Sequence, residues 1–328
     1  MTHPNLIIHV DWSSQPRKRW LAWGKYIASK GYEIDSPQPV QTSEELWSLV
    51  QTHLPSDGCA LVGFDFPIGL PLEYAQKIGC NHFLSFLAQL ENGAWPEWFQ
   101  VADQAPEINL GRPFYPSRPG GKRLAHLVEG LGLSSSRALW RECDRTTPYR
   151  RAAAPLFWTM GAQQVGKTAL SGWRELLIPA RHLTWPLVRL WPFEGRLDEL
   201  LQPSALVLAE TYPAEYYAPL GLDLYLSLPG HKKGKRSVYT RCANASRLLM
   251  AAQQLKIRFT PDLEREIERG FGLAPNAEDA FDALIGLLGM VLVLENRLPT
   301  DPPSSVPFLI EGWILGLRRT NTDYNEIG

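Results

Sequence analysis

Cysteine is scarce and unpatterned in this sequence. Cys59, Cys80, Cys143 and Cys242 are scattered with no C-x-x-C spacing, which argues against a zinc ribbon or a disulfide framework and fits a reducing cytoplasm. The seven histidines form no H-x-x-x-H pair, so no histidine-based metal centre announces itself. Charge of one sign is not in excess. The formal net charge is −1, and the molecule as a whole has no electrostatic attraction to nucleic acid or anionic membrane. Long hydrophobic runs are missing too: the longest, "ALIGLLGMVLVL" (283–294), falls short of the roughly 20 residues that a bilayer span needs. "MTHPNLIIHVDWSS" reaches an Asp too soon for a signal peptide, and no repeat or biased tract appears.

What remains is an ordinary globular composition, 45% hydrophobic and 20% charged, in 328 residues, enough for one large domain or two smaller ones. "LIIHVDWSS" (6–14) reads as a buried strand ending in Asp11, and 19–28 and 32–42 as the next two strands. "TSEELWSLVQTHL" (42–54) opens with Thr42 and Ser43 ahead of two glutamates and carries apolar residues at helical spacing, so a helix is expected. "CALVGFDFPIGLP" (59–71) follows as a fourth strand with Asp65 near its end. From about 72 to 200 the pattern loosens into a Pro-, Trp-, Arg- and Gly-rich segment, with short helices expected at 72–91 and 167–178. Order returns with an apolar strand ending at Glu210, helices at 237–255 and 261–271, and the clearest helix of the chain over 276–297. A Pro-rich linker then leads to "FLIEGWILGL" (308–317), expected to be a last strand or an anchoring tail.

"GAQQVGKT" (161–168) fits the phosphate-loop pattern G-x-x-x-x-G-K-[ST] at every specified position. A working phosphate loop joins a central strand to a helix. Here the preceding run "APLFWTM" is short and lacks the Val/Ile richness of such a strand. The glycines are expected to shape a turn, with Lys167 on the surface or near a nucleic-acid phosphate.

The acids carry a stronger signal. Asp11, Asp65 and Glu210 each end an apolar run, and Asp279 and Asp282 stand three apart near the start of the late helix, on one face of it. Strand-end carboxylates on neighbouring strands converge outside the carboxyl edge of an α/β sheet. Gathered together they repel unless a cation neutralises them, and such hard oxygen ligands suit Mg²⁺ or Mn²⁺. Basic residues gather in 111–123, 137–151 and 231–241, and any single such run reads first as a solvated surface. Twelve tryptophans are more than average. Trp95, Trp98, Trp140 and Trp158 are offered to unpaired bases or, more simply, to core packing.

The motifs "VDWSS", "FDFPIGLP", "ETYPAE", "EDAFDAL" and "EGWI" together resemble a family of predicted ribonuclease H-like nucleases, the domain of unknown function 429. "NAEDAFDAL" also resembles the D-x-x-D-A-L helix of Holliday-junction resolvases. The resemblance spans nearly the whole chain. It implies an α/β fold, a ribonuclease H-like mixed five-stranded sheet flanked by helices, in one domain over 1–298 with a large irregular and helical insertion at about 72–200, and a C-terminal linker and tail (299–328) packed on it. The family has a Gly-Ala…Val-Gly counterpart to 161–166 without a required lysine, which makes the phosphate-loop match a coincidence.

By the same resemblance Asp11 is the central metal-bridging Asp of the first strand. Asp65 takes the place of the fourth-strand carboxylate, usually Glu in the resolvase branch, and Asp279 and Asp282 take that of the helical pair. Glu210 is a further ligand or a water-orienting base. The implied activity is metal-dependent hydrolysis of nucleic-acid phosphodiesters with Mg²⁺ or Mn²⁺; the cysteine usage and the short apolar runs add the expectation of a cytoplasmic protein with no membrane partner. Arg145, Lys167, Lys235, Arg236 and Arg241 are expected to grip the nucleic-acid backbone, and the analogy with resolvases allows a homodimer. Two other classes stand beside this reading: a nucleotide-binding phosphotransferase or ATPase using 161–168 or the first-strand loop, and a non-catalytic ribonuclease H-like binding protein.

Overall fold

The structure is a computed structural model that describes residues 3–161, 165–226, 230–231 and 233–318. Its frame is a mixed eight-stranded sheet. The strands are β1 (Leu6–Asp11), β2 (Trp20–Ile27), β3 (Gly31–Ile34), β4 (Gln38–Pro39), β5 (Ala60–Phe64), β6 (Leu187–Leu190), β7 (Ala205–Glu210) and β8 (Arg258–Phe259). Their order across the sheet is β6-β7-β5-β1-β2-β3-β8, with β4 paired to β2. β1, β2 and β3 form an antiparallel meander, whereas β5, β6 and β7 lie parallel to one another and β5 lies parallel to β1.

Eight strands stand where five were expected. The five long runs form a continuous block, β3-β2-β1-β5-β7, and the additions are short and peripheral. β3 and β4 divide the run 32–42 that was expected as one strand, and β8 has only two residues, too few for a periodic signal to be read. β6, "LVRL", lies at the sheet edge with Leu187 exposed, and it falls inside the stretch expected to be an insertion. β5 ends at Phe64, so "DFPIGLP" is a loop rather than strand.

Central position explains the near-continuous apolar runs: β1, β5 and β7 are covered on both faces. Leu6, Ile8, Val10, Val62 and Phe64 face one core, shared with the helix Ser43–His53 and with the aromatic residues of the 66–193 segment. That helix is capped as expected, with the Thr42 side chain accepting the Glu45 N–H. Ile7, Leu61 and Val207 face the other core, built by the helices Ala245–Gln254, Pro261–Glu268 and Ala277–Leu294.

Of these, Ala277–Leu294 is the long helix that lies across β1 and β2. It approaches so closely that a Cβ on Gly286 would sit 2.1 Å from Nε2 of His9, so only glycine allows this packing. The segment expected as a last strand or an anchoring tail begins with the short helix Phe308–Glu311. Trp313, Ile314 and Leu315 are buried, and the Leu315 N–H donates to the Glu210 carbonyl at the end of β7. Among the described residues no helix is long and apolar enough to cross a membrane.

Candidate active site

Parallel pairing of β1 with β5 puts Val10 opposite Phe64, so the next residues of both strands, Asp11 and Asp65, emerge side by side at one edge of the sheet. Their carboxyls are close enough that each shifts the other's titration. The Trp12 N–H donates to Oδ1 of Asp65 at 2.9 Å, which fixes the orientation of that carboxylate. The loop after β1 is itself held rigid by Arg19. Its guanidinium lies 3.6 Å over the Trp12 ring and donates to the Ser13 and Gln41 carbonyls and to Glu175 at 2.6, 2.7 and 2.7 Å. Glu175 sits in a π-helical turn, Trp173–Leu177, of the kind that often marks functional sites.

The long helix supplies the third carboxylate. Asp282 is buried; its Oδ1 accepts the Tyr217 hydroxyl at 2.7 Å, and its Oδ2 is paired with the Lys235 ammonium. Asp279 lies three residues earlier, half-buried, and Glu278 pairs with Arg236 at 3.2 Å. The electrostatics are those of crowded acids. Burial first, then Asp65 and Asp282, hold the Asp11 carboxyl well above its ordinary range. Burial pushes Asp65 up to about 6 against the lowering effects of Asp11 and of the Trp12 N–H, and burial with Glu278 and Asp282 raises Asp279 to about 6. For Lys235, burial works against the charge, but Asp282 and Asp11 outweigh it and hold the ammonium protonated.

Asp65, Asp282 and Lys235 open onto a pocket of about 490 Å³ whose other walls include Tyr149, Tyr212, Tyr217 and Arg150. A larger cleft of about 630 Å³, lined by Glu73, Arg137, Arg145 and Glu311, includes none of these acids.

Glu210 does not join them. It ends β7 as expected, but its carboxylate accepts two bonds from Arg141, both 2.7 Å, and the Ile68 N–H at 2.6 Å. Arg141 is fully buried and also bonds Asp144 at 2.8 and 3.0 Å and the Ile68 carbonyl at 3.2 Å. Glu210 thus clamps the loop that follows Asp65. Ligand atoms of Cys143, Asp144 and Glu210 all lie within 4.8 Å of one another, a spacing that could hold a metal ion. The Arg141 guanidinium already supplies a cation there. Among the described residues Asp11, Asp65 and Asp282 do not close to that spacing, with the Lys235 ammonium bound on Asp282.

The basic residues expected to grip a backbone separate into different roles. Arg241 is buried and donates to the carbonyls of Gly270 and Gly272 at 2.7 and 2.8 Å and to that of Lys235, so it is a structural pin that places Lys235. Lys235 sits among the acids rather than on a surface track. Arg236 is largely exposed. Arg145 pairs with Glu142 along the other cleft, and Lys167 is half-buried on the helix Val165–Gly172.

No sheet strand precedes Lys167, because 154–160 contributes only an isolated bridge between Trp158 and Tyr115. A Cβ on Gly166 would lie 2.7 Å from the Leu156 carbonyl, so this glycine serves close packing. Residues 162–164 of the motif lie outside the described residues. Trp98 is fully buried against Phe86, Phe114 and Phe157 and is unable to stack on a base, whereas Trp95, Trp140 and Trp158 are half-buried.

Sequence reasoning missed Tyr217, Tyr212 and Tyr149, and had Arg150 only as one of a basic run over 137–151. The "ETYPAEYY" run was in view, but nothing in a linear pattern shows which of its tyrosines turns to the acids. Compared with protein-family models, curated proteins and solved structures, the chain matches none.

Proposed function

We propose that this chain is a metal-dependent hydrolase of nucleic-acid phosphodiester bonds built on a ribonuclease H-like frame. The observation that carries the reading is the gathering of Asp11, Asp65 and Asp282, from two adjacent parallel strands and the long helix, beside the partly exposed ammonium of Lys235. The element order supports it: β4 apart, three strands, a helix and a fourth strand, with Asp11 ending the first, Asp65 just past the fourth and acids on a late helix, match the order that the resemblance implies.

The donor chemistry suits a hard divalent cation, which would draw the three carboxylates together in place of the Lys235 ammonium. All three groups are carboxylates, and at least two are held protonated more readily than usual by burial and mutual repulsion, a cost that a bound cation relieves. Asp11, Asp65 and Asp282 would hold Mg²⁺ or Mn²⁺, with Asp279 at the rim. Such an ion supplies an acidified water and neutralises charge at phosphorus. The chain's own residues do the rest. The Trp12 amide and the Tyr217 hydroxyl fix the ligand oxygens, and Lys235, once released from Asp282, turns its ammonium to a phosphate oxygen. Arg236 offers a positive charge at the rim.

The test is hydrolysis of a panel of labelled single-stranded, duplex and branched DNA and RNA with Mn²⁺, by the wild type and by Asp65→Asn. Cleavage of at least one member that needs Mn²⁺ and falls by 100-fold or more in the variant is expected. Cleavage indifferent to chelator or to Asp65→Asn would refute the reading.

A further inference from the structure

The pocket beside the acids has properties of its own. At about 490 Å³ it is of the size that encloses one small ligand, not a duplex. Among its lining residues are three half-buried tyrosines, Tyr149, Tyr212 and Tyr217, together with the apolar Pro148 and Leu224. Tyr217 is tied by its hydroxyl to Asp282, so its ring runs from the carboxylates into the pocket, and behind it the Phe281 ring stacks at 6.3 Å. The Arg150 guanidinium lies 4.7 Å from the centre of the Tyr212 ring and is ion-paired with Glu215, which presents the tyrosine as a braced platform. A polar substrate group alone would not need such walls, whereas a flat π-system would.

We infer that this pocket receives the base of an unpaired nucleotide whose phosphodiester lies at the acids, so that the substrate class is single-stranded or extrahelical nucleic acid. The inference rests on the proposed hydrolase reading and deepens it by naming what the site accepts. A base stacked within a duplex has no access to a pocket that encloses it, and must be presented unpaired or be extruded. Stacking on an aromatic ring is tolerant of base identity, so the preference is for an unpaired base over none, with little sequence dependence.

The experiment is fluorescence anisotropy with the full chain in chelator, using a labelled 12-nucleotide strand, the same strand with abasic sites throughout, and its blunt duplex. Hydrolysis of the same strands in Mn²⁺ is followed in parallel. The intact strand is expected to bind on the order of 10- to 100-fold more tightly than the abasic strand or the duplex. Tyr212→Ala should remove most of that preference and Tyr212→Phe should keep it, with thermal melts confirming that both variants fold. Equal binding of intact and abasic strands, a preference for duplex, or no binding of any strand overturns the inference. Base-dependent binding without Mn²⁺-dependent hydrolysis would sink the hydrolase reading and leave the pocket assignment standing. Mn²⁺-dependent hydrolysis indifferent to the base would do the reverse.

Discussion

At the scale of single residues, Lys235 decides how the acids behave. Its ammonium now offsets part of the charge that a divalent cation would neutralise, so the two compete for Asp282. Lys235→Met should therefore tighten Mn²⁺ binding, by roughly tenfold or more, while lowering turnover. Weaker Mn²⁺ binding in a titration of this variant would show that the lysine supports the ion. Protons compete as well. Because burial and neighbouring acids raise Asp11 and bring Asp65 to about 6, Mn²⁺ affinity should climb as pH rises from 5 to 7 and these groups lose their protons. A flat affinity over that range would contradict the shared site.

His9 is the other residue with a clear pH signature. It is wholly buried against Gly286, and burial lowers its pKa to about 3, outweighing the raising effect of the Ala283 backbone. The fold therefore keeps it neutral, and its share of stability is complete above the unfolded value near 6.5. That share is lost as pH falls from there toward 3, at up to about 1.4 kcal/mol per pH unit. The raised acids act with the opposite sign, since the fold binds their protons more tightly than the unfolded chain. A comparison with His9→Leu isolates the histidine. The variant should gain on the wild type as pH drops from 7 to 5 in urea unfolding, and parallel stability curves would contradict the assignment.

At the scale of elements, the loop 65–71 is placed by partners far away in sequence. Arg141 joins Glu210 at the end of β7, Asp144, and the carbonyls of Ile68 and Glu311. Arg141→Met would leave two buried carboxylates unpaired, and a loss of about 3–5 kcal/mol is expected in chemical unfolding. A loss under about 1 kcal/mol would mean that the network is idle.

The same contacts explain what was legible in the sequence. Asp11, Asp65, Asp279 and Asp282 were found because they end apolar runs or share a helical face, both local patterns. Glu210 ends an apolar run just as they do. Only the tertiary position of Arg141, 69 residues away, assigns it to the loop instead. Arg241 was misplaced because a basic residue on a short helix carries no local sign of whether it meets phosphate or buried carbonyls, whereas Trp98 lies in the core, the simpler of its two expected places. β6 was hidden because an edge strand with one exposed face needs little hydrophobicity.

At the scale of the whole molecule, the sheet separates two cores, and the acids emerge where β1, β5 and the long helix come together. The 66–193 segment is less an appendage than the cover of one sheet face, since its aromatic residues share a core with β1 and β5. The proposed cation would cross-link the ends of β1 and β5 to the long helix. The folded chain should thus melt higher in Mn²⁺, by an amount that grows with concentration above the dissociation constant.

The central claim is that strand and helix carboxylates make one cation site. Calorimetric titration with Mn²⁺ of the wild type, Asp11→Asn and Asp282→Asn tests it most directly. The account predicts micromolar-range binding in the wild type and its loss in both variants. Equal binding in all three proteins, or none in any, would contradict it.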